Sequence, residues 1–158
     1  MLLRVDVDGV RLLADVGFGV YGLLLPLPLD EIAESRQFAW TYRIVADAGM
    51  HVLQVRTSVT WTDLYAFTLE PQHAVDYEMA NYYTSTHPSS RFVQALIAQR
   101  LEIDVRRMLR DRDYSEYRGE IVTHRTLVDD DEVLEVLADA FQLRFPRGTR
   151  FHKRPPKG

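Results

Sequence analysis

Asp15 closes the apolar run Leu12-Leu13-Ala14, and Val16, Gly17, Phe18 and Gly19 follow it. A carboxylate at the end of a buried strand is costly unless something pairs with it. Two glycines just beyond it allow backbone angles or close approaches that a Cβ would block. The pattern supports two readings. It presents an orienting carboxylate beside a ligand pocket, or it simply ends a hairpin.

The other residues able to do chemistry are scattered. Cysteine is absent, which removes disulfides, thiolate metal sites and a cysteine nucleophile from this chain. His51 follows a turn, His73 and His87 flank a helical stretch, His124 sits in a late strand, and His152 lies in the tail. Each alone reads as a surface or core histidine more readily than as a base. Ser85, Ser89 and Ser90 lack the Gly-x-Ser-x-Gly context of a serine hydrolase. Asp6, Asp8 and Asp15 have no histidine or second acidic cluster to complete a metal site, and Asp6 and Asp8 read as turn and edge residues. The segment Tyr83–Arg91 gathers a tyrosine, several hydroxyls and an arginine. That is a cradle for phosphates or an adenine, or a well-capped turn. Arg106, Arg107, Arg110 and Arg112 stand among Asp104, Asp111, Asp113, Glu116 and Glu120. This stretch reads as a solvated strand pair with a long exposed loop; phosphate binding by one of its arginines is the lesser reading.

These residues need elements to hold them. Leu2–Val7 and Val10–Val16 form a hairpin over Asp8-Gly9. Leu23–Leu29, broken by Pro26 and Pro28, is an extended edge or connector. Phe38–Asp47, Val52–Val59 and Trp61–Leu69 are strands rich in β-branched and aromatic residues. Alternation along the last predicts cover on both faces. Together they predict an antiparallel barrel or sharply curled sheet. Ala74–Tyr83 has the helical period, with Val75, Met79 and Tyr82/Tyr83 in register. Phe92–Ile97 fits a helix turn or a strand. Glu120–Leu127 is a further strand. Asp129 caps a helix whose buried stripe is Val133, Leu134, Val136, Leu137, Ala140 and Phe141, with Glu132 completing a capping box. The tail from Arg144 is basic, carries three prolines and is expected to be mobile at its end.

At 158 residues the chain is long enough for a real core. A net charge of -4 gives no reason to expect nucleic acid or an anionic membrane as partner. No apolar run is long enough to span a bilayer. The bulk composition fits a cytoplasmic protein.

Three segments in order, LLADVGFG, WTDLYAFTLEPQ and NYYTSTHPSSRF (Leu12–Gly19, Trp61–Gln72 and Asn81–Phe92), resemble the arylamine N-acetyltransferase family. The likeness continues to about Phe141 and is weakest between Leu101 and Arg125. It implies an α+β chain that forms part of a papain-like fold, with a β-barrel domain over 1–70, a helical connector over 71–96 and an α/β lid over 97–158. It also implies acetyl transfer from acetyl-CoA to an arylamine or arylhydrazine, by a ping-pong route through a Cys-His-Asp triad, with no metal. Asp15 maps to the triad aspartate, which orients the imidazole and does not attack. Phe18 maps to a residue lining the aryl pocket, and Gly17 and Gly19 let the backbone run close to the acetyl and pantetheine groups. Tyr83, Ser89 and Ser90 map to contacts with coenzyme A.

The family histidine falls just ahead of Met1, and its cysteine lies earlier still, in a helical domain. The resemblance thus covers the last two thirds of such an enzyme. The chain alone is expected to be inactive, and apolar surface left by the missing domain is expected to drive self-association or pairing with another polypeptide. The alternatives are a binding module that holds coenzyme A or an aryl ligand without turnover, half of a split enzyme, or a longer enzyme in which Met1 is internal.

Overall fold

A computed structural model describes residues 2–19, 21–31, 33–57 and 59–151. The chain divides into two units. The first holds residues 1–70 together with Leu101–Arg106 and Tyr117–Val122; the second holds the remainder.

In the first unit, β1 (Leu2–Val7) and β2 (Val10–Asp15) pair antiparallel across Asp8-Gly9. Both turn residues have positive φ, 49° and 82°, the conformation a tight two-residue hairpin demands. The short β3 (Leu27–Pro28) pairs with Leu12 and Leu13 of β2, and its proline is tolerated because β3 is an edge strand. Four further strands form a second sheet in the order β4 (Ser35–Gln37), β5 (Trp40–Asp47), β6 (Met50–Arg56), β7 (Trp61–Phe67). Trp40, Tyr42 and Ile44 alternate inward on β5, and Val52, Leu53 and Val55 of β6 join them in the core. Ala48-Gly49 turns between β5 and β6, again with positive φ at both positions.

Two expectations change here. The described strands of this unit are hydrogen-bonded as two separate antiparallel sheets, not as one closed barrel. And β7 is not covered on both faces: none of its residues is buried, because it is the outer strand of its sheet.

In the second unit, α1 (Ala74–Thr86) leads through a turn to α2 (Arg91–Gln94) and β8 (Ile97–Leu101). The ambiguous stretch Phe92–Ile97 is therefore the end of a helical turn running into a strand. β9 (Arg106–Arg110), β10 (Asp113–Arg118) and β11 (Ile121–Thr126) follow, in the sheet order β11-β10-β9-β8; of these strands Leu101, Arg106, Tyr117, Arg118, Ile121 and Val122 count with the first unit. The expected long exposed loop is instead the two-residue turn Asp111-Arg112, with Asp111 at φ 55°. α3 (Asp130–Phe141) packs Val133, Val136, Leu137 and Phe141 against Ala98, Leu109, Tyr114 and Leu127. The Asp129 side chain accepts from Glu132 N at 2.9 Å, while the Glu132 carboxylate accepts from Val128 N at 2.7 Å. This reciprocal cap reaches one residue further out than a standard capping box. Gln142, in the left-handed conformation, ends the helix, and the N–H of Leu143 closes back on the Leu137 carbonyl. α1, in contrast, has no buried residue. Of the basic tail, 152–158 and with them His152 lie outside the described residues.

Candidate functional site

Asp15 is the last residue of β2 and is buried, 7% exposed. Both of its oxygens have donors. Oδ1 accepts from the N–H of Gly17 at 3.0 Å, and Oδ2 accepts from the hydroxyl of Tyr65 at 2.7 Å. The first bond is local and follows from the turn. The second joins strands of different sheets, fifty residues apart in sequence. Burial first, then the bond to the Asp15 carboxylate, raise the Tyr65 hydroxyl far above the usual tyrosine range, so Tyr65 stays a donor. A carboxylate fixed by one amide and one phenol, with lone pairs remaining, can orient a third donor such as an imidazole N–H.

Phe18 lies against the Tyr65 ring, centroids 4.8 Å apart and tilted 57°, and remains 41% exposed. Phe67 and His51 continue this aromatic row, with centroids 6.0 Å from Tyr65 to Phe67 and 5.4 Å from Phe67 to His51. Gly19 has φ 111°, which favours glycine. Its carbonyl accepts the N–H of Gly22 at 2.7 Å. At the far end of the turn, Nη1 of Arg106 donates to the Gly22 carbonyl at 2.8 Å. Arg106 is fully buried, under Trp40. Burial is the first cause acting on its charge and pushes its pKa down. Beyond the turn, the buried Gln37 accepts from the N–H groups of Leu24 and Leu25 and donates to the Leu25 carbonyl.

The second cluster lies in the second unit. Tyr83, Ser89 and Ser90 lie at the turn after α1 with different surroundings. Ser90 is buried, and its hydroxyl donates to the Thr84 carbonyl at 2.6 Å; it ties the turn down. Tyr83 and Ser89 are exposed, their oxygens 3.0 Å apart. Ser89 also bonds His87 twice, through its hydroxyl at 2.7 Å and its backbone N–H at 3.2 Å, both to Nδ1. A backbone N–H can only donate, so Nδ1 is the acceptor and the ring proton belongs on Nε2. The hydroxyls then run in one direction, Tyr83 to Ser89 to His87. The Tyr83 and His87 rings stack at 4.4 Å. Nearby in sequence, Phe92 lines a cleft of about 310 Å³ with Val93, Leu96, Asp111 and Phe151.

The remaining histidines stand elsewhere. His73 is the N-cap of α1, where Asp76 accepts its backbone N–H. His124 Nδ1 lies 3.1 Å from the Ser115 hydroxyl. Among the described residues no group of three or more His, Asp or Glu is placed to hold a metal, and no helix is long and apolar enough to cross a membrane.

Sequence reasoning missed Tyr65 and Arg106. Tyr65 stands in the segment Trp61–Gln72 that carries the resemblance, but its partner emerges only from the pairing of the strands. Arg106 stands in a charge-dense stretch and reads as solvated. Its one signal is the aliphatic Val105 and Leu109 beside it, both buried.

Comparison with known proteins places the chain in a family. A family model described as N-acetyltransferase matches residues 1–149. The arylamine N-acetyltransferase of Mycolicibacterium smegmatis is 32% identical over 142 residues, covering 89% of this chain and 52% of that protein. The arylamine N-acetyltransferase of Mycobacterium marinum, solved in complex with CoA, superposes with a TM-score of 0.83 at 30% identity, over 89% of this chain and 53% of that one. The Mycobacterium tuberculosis enzyme gives a TM-score of 0.83 at 34% identity, over 89% and 52%. The chain thus spans about half the length of the curated relatives it matches. A buried carboxylate before a Gly-x-Gly turn, a sheet-borne phenol upon it, and a family model running from Met1 to Thr149 converge: the chain belongs to the arylamine N-acetyltransferase family.

Proposed function

We propose that this chain supplies the carboxylate end of a Cys-His-Asp acetyl-transfer site, acting on acetyl-CoA and an arylamine or arylhydrazine. The observation that carries the reading is the buried Asp15 carboxylate, held by the Gly17 N–H and the Tyr65 hydroxyl. In this reading Asp15 orients the imidazole and stabilises it once charged. A thiolate takes the acetyl group from coenzyme A and the amine then takes it from the thiolate. Phe18, packed on Tyr65 and still half in solvent, lines the aryl pocket. Gly17 and Gly19 leave room for the acetyl and pantetheine groups. Tyr83 and Ser89 offer hydroxyls to coenzyme A, and Ser90 shapes that turn from beneath. The two sheets of the first unit stand for the barrel of a papain-like fold, in a cytoplasmic setting.

The thiol is not in this chain, and in this reading the cysteine, with the family's histidine beside it, is supplied by a partner polypeptide or a longer form of the protein. One observation favours a second reading, a binding module: no cysteine means no acetyl-enzyme on this chain. A single experiment separates the two. The chain is mixed with a separately made polypeptide carrying the family's cysteine and histidine, and acetylation of an arylamine is followed. Turnover by the mixture and none by the chain alone is expected. Asp15→Asn in the mixture is expected to lower kcat by about 10³–10⁴-fold, the effect of losing an orienting carboxylate. Coenzyme A binding by calorimetry with no turnover in any pairing establishes the binding module. Neither binding nor turnover ends both readings.

A further inference from the structure

The turn after Asp15 is anchored at both ends. At the first, the Asp15 carboxylate accepts the Gly17 N–H and the Phe18 ring lies on Tyr65. At the second, the Gly22 carbonyl accepts from Nη1 of Arg106, eighty-four residues later in sequence, at 2.8 Å. The Tyr42 hydroxyl lies 3.4 Å from the same oxygen. The Arg106 guanidinium covers Trp40 at 4.2 Å, and the Trp40 ring packs on Tyr21, one residue before Gly22, at 5.1 Å. The N–H of Gly22 bonds the Gly19 carbonyl, and a Cβ on Gly22 would stand 2.9 Å from that oxygen.

A fully buried guanidinium is an expensive way to fill space. Desolvating it costs more than most pairings return, and an apolar side chain of similar volume usually does as well or better for stability alone. What an apolar side chain cannot do is grip a carbonyl. Arg106 presents its Nη1–H to the carbonyl that ends the turn, while its flat face covers Trp40.

We propose that Arg106 is a positioning residue for the acceptor end of the site. Its bond to the Gly22 carbonyl, backed by Trp40 and Tyr42, holds Gly22 and, through the Gly22 N–H on the Gly19 carbonyl, Gly19, and so supports the Gly17 N–H on Asp15 and the Phe18 ring on Tyr65. The inference rests on reading that turn as the aryl-acceptor end of an acetyl-transfer site, but its test needs no turnover.

The test is native-state amide hydrogen exchange on the whole chain, comparing Gly17 and Gly22 with Leu53 and Val55 of β6. In Arg106→Met, exchange at Gly17 and Gly22 is expected to quicken by about tenfold with Leu53 and Val55 unchanged, the mark of local opening. Arg106→Lys, which keeps the charge and a donor but loses the flat guanidinium over Trp40, is expected to fall between, at about threefold. Unchanged exchange at the two glycines overturns the proposal. So does an equal rise at the glycines and in β6, because the arginine would then only stabilise the unit. If Arg106→Met does not fold, Arg106→Lys decides alone: a rise confined to the turn supports the proposal, and no rise or a rise shared with β6 overturns it. Loss of acetyl transfer in the reconstituted mixture with normal exchange would count against the function proposed for the site, not against Arg106 as anchor of the turn.

Discussion

At the scale of single residues, the phenol on Asp15 carries the clearest consequences. Tyr65→Phe leaves one oxygen of a buried carboxylate without its donor and is expected to cost about 2 kcal/mol near neutral pH, measured by urea unfolding. The pH dependence has a definite sign. Tyr65 keeps its proton in the fold well above 10.0, the ordinary tyrosine value. The unfolded chain loses that proton as pH passes 10, so stability is whole below pH 10 and falls as pH rises beyond it. Tyr65→Phe lacks this linkage, and its unfolding free energy should decline less steeply than the wild type's above pH 10. An equal slope in the two proteins would mean that Tyr65 ionises as in the unfolded chain. Asp15 itself was legible in the sequence, because an acid closing an apolar strand before Gly-x-Gly is a local signal. Tyr65 was not, since nothing in Trp61–Phe67 says which of its alternating side chains meets a carboxylate on another sheet. Arg106 was hidden for the opposite reason. Its neighbours are charged, and charge density reads as solvent until the packing around Trp40 is known.

At the scale of elements, hairpins and caps were the legible part. Asp8-Gly9 and Ala48-Gly49 announce tight turns, and Asp129 with Glu132 announces the start of α3. Removing that cap tests its share: Asp129→Ala is expected to lower stability by about 1 kcal/mol, read by thermal or urea unfolding, without altering the sheets. Gly22→Ala makes a different point. The Gly22 φ is not in the left-handed region, so the obstacle is the Gly19 carbonyl 2.9 Å away. That substitution should disturb the turn, seen as shifted Gly17 and Gly19 amide resonances, while α3 keeps its spectrum. The misreadings also have physical causes. β4 has three residues, too few to show a period. The alternation in Trp61–Leu69 is real, but cover depends on neighbours, and β7 has a neighbour on only one side within its sheet. The Arg100–Glu120 stretch concealed a two-residue turn because Asp111 and Arg112 do not carry the usual glycine.

At the scale of the whole molecule, the apolar surface is unusual in kind as well as place. Helix α1 exposes Val75, Met79 and Tyr82, at 56%, 68% and 72%, and has no buried residue. β1 and β2 leave Leu3, Val5, Val7 and Val10 exposed. The helical period of α1 was legible, but a period says only that a face exists and not what covers it. Exposed large apolar side chains gathered on one element, as on α1, mark surfaces that bind. The chain is expected to associate as its concentration rises, measured by light scattering after gel filtration. Met79→Glu with Tyr82→Lys should reduce both that association and the fluorescence of an apolar dye. A monodisperse monomer at high concentration, with no dye binding, would remove the reason to expect a partner on that helix. The match to the relatives covers about half of each one's length.

The arginine–tryptophan contacts have one more use. The chain has two tryptophans. Trp40 is buried beneath Arg106, whereas the Trp61 ring is contacted by the guanidiniums of both Arg43 and Arg56, 4.1 Å and 4.8 Å from its centre. Replacing Trp61 with phenylalanine leaves a protein with one indole, seated on the side chain that holds the turn beside Asp15. Its emission would then be a built-in optical gauge. A ligand or partner that moves the turn is expected to show as a shift in the wavelength or intensity of that emission, with no label attached and no reaction required.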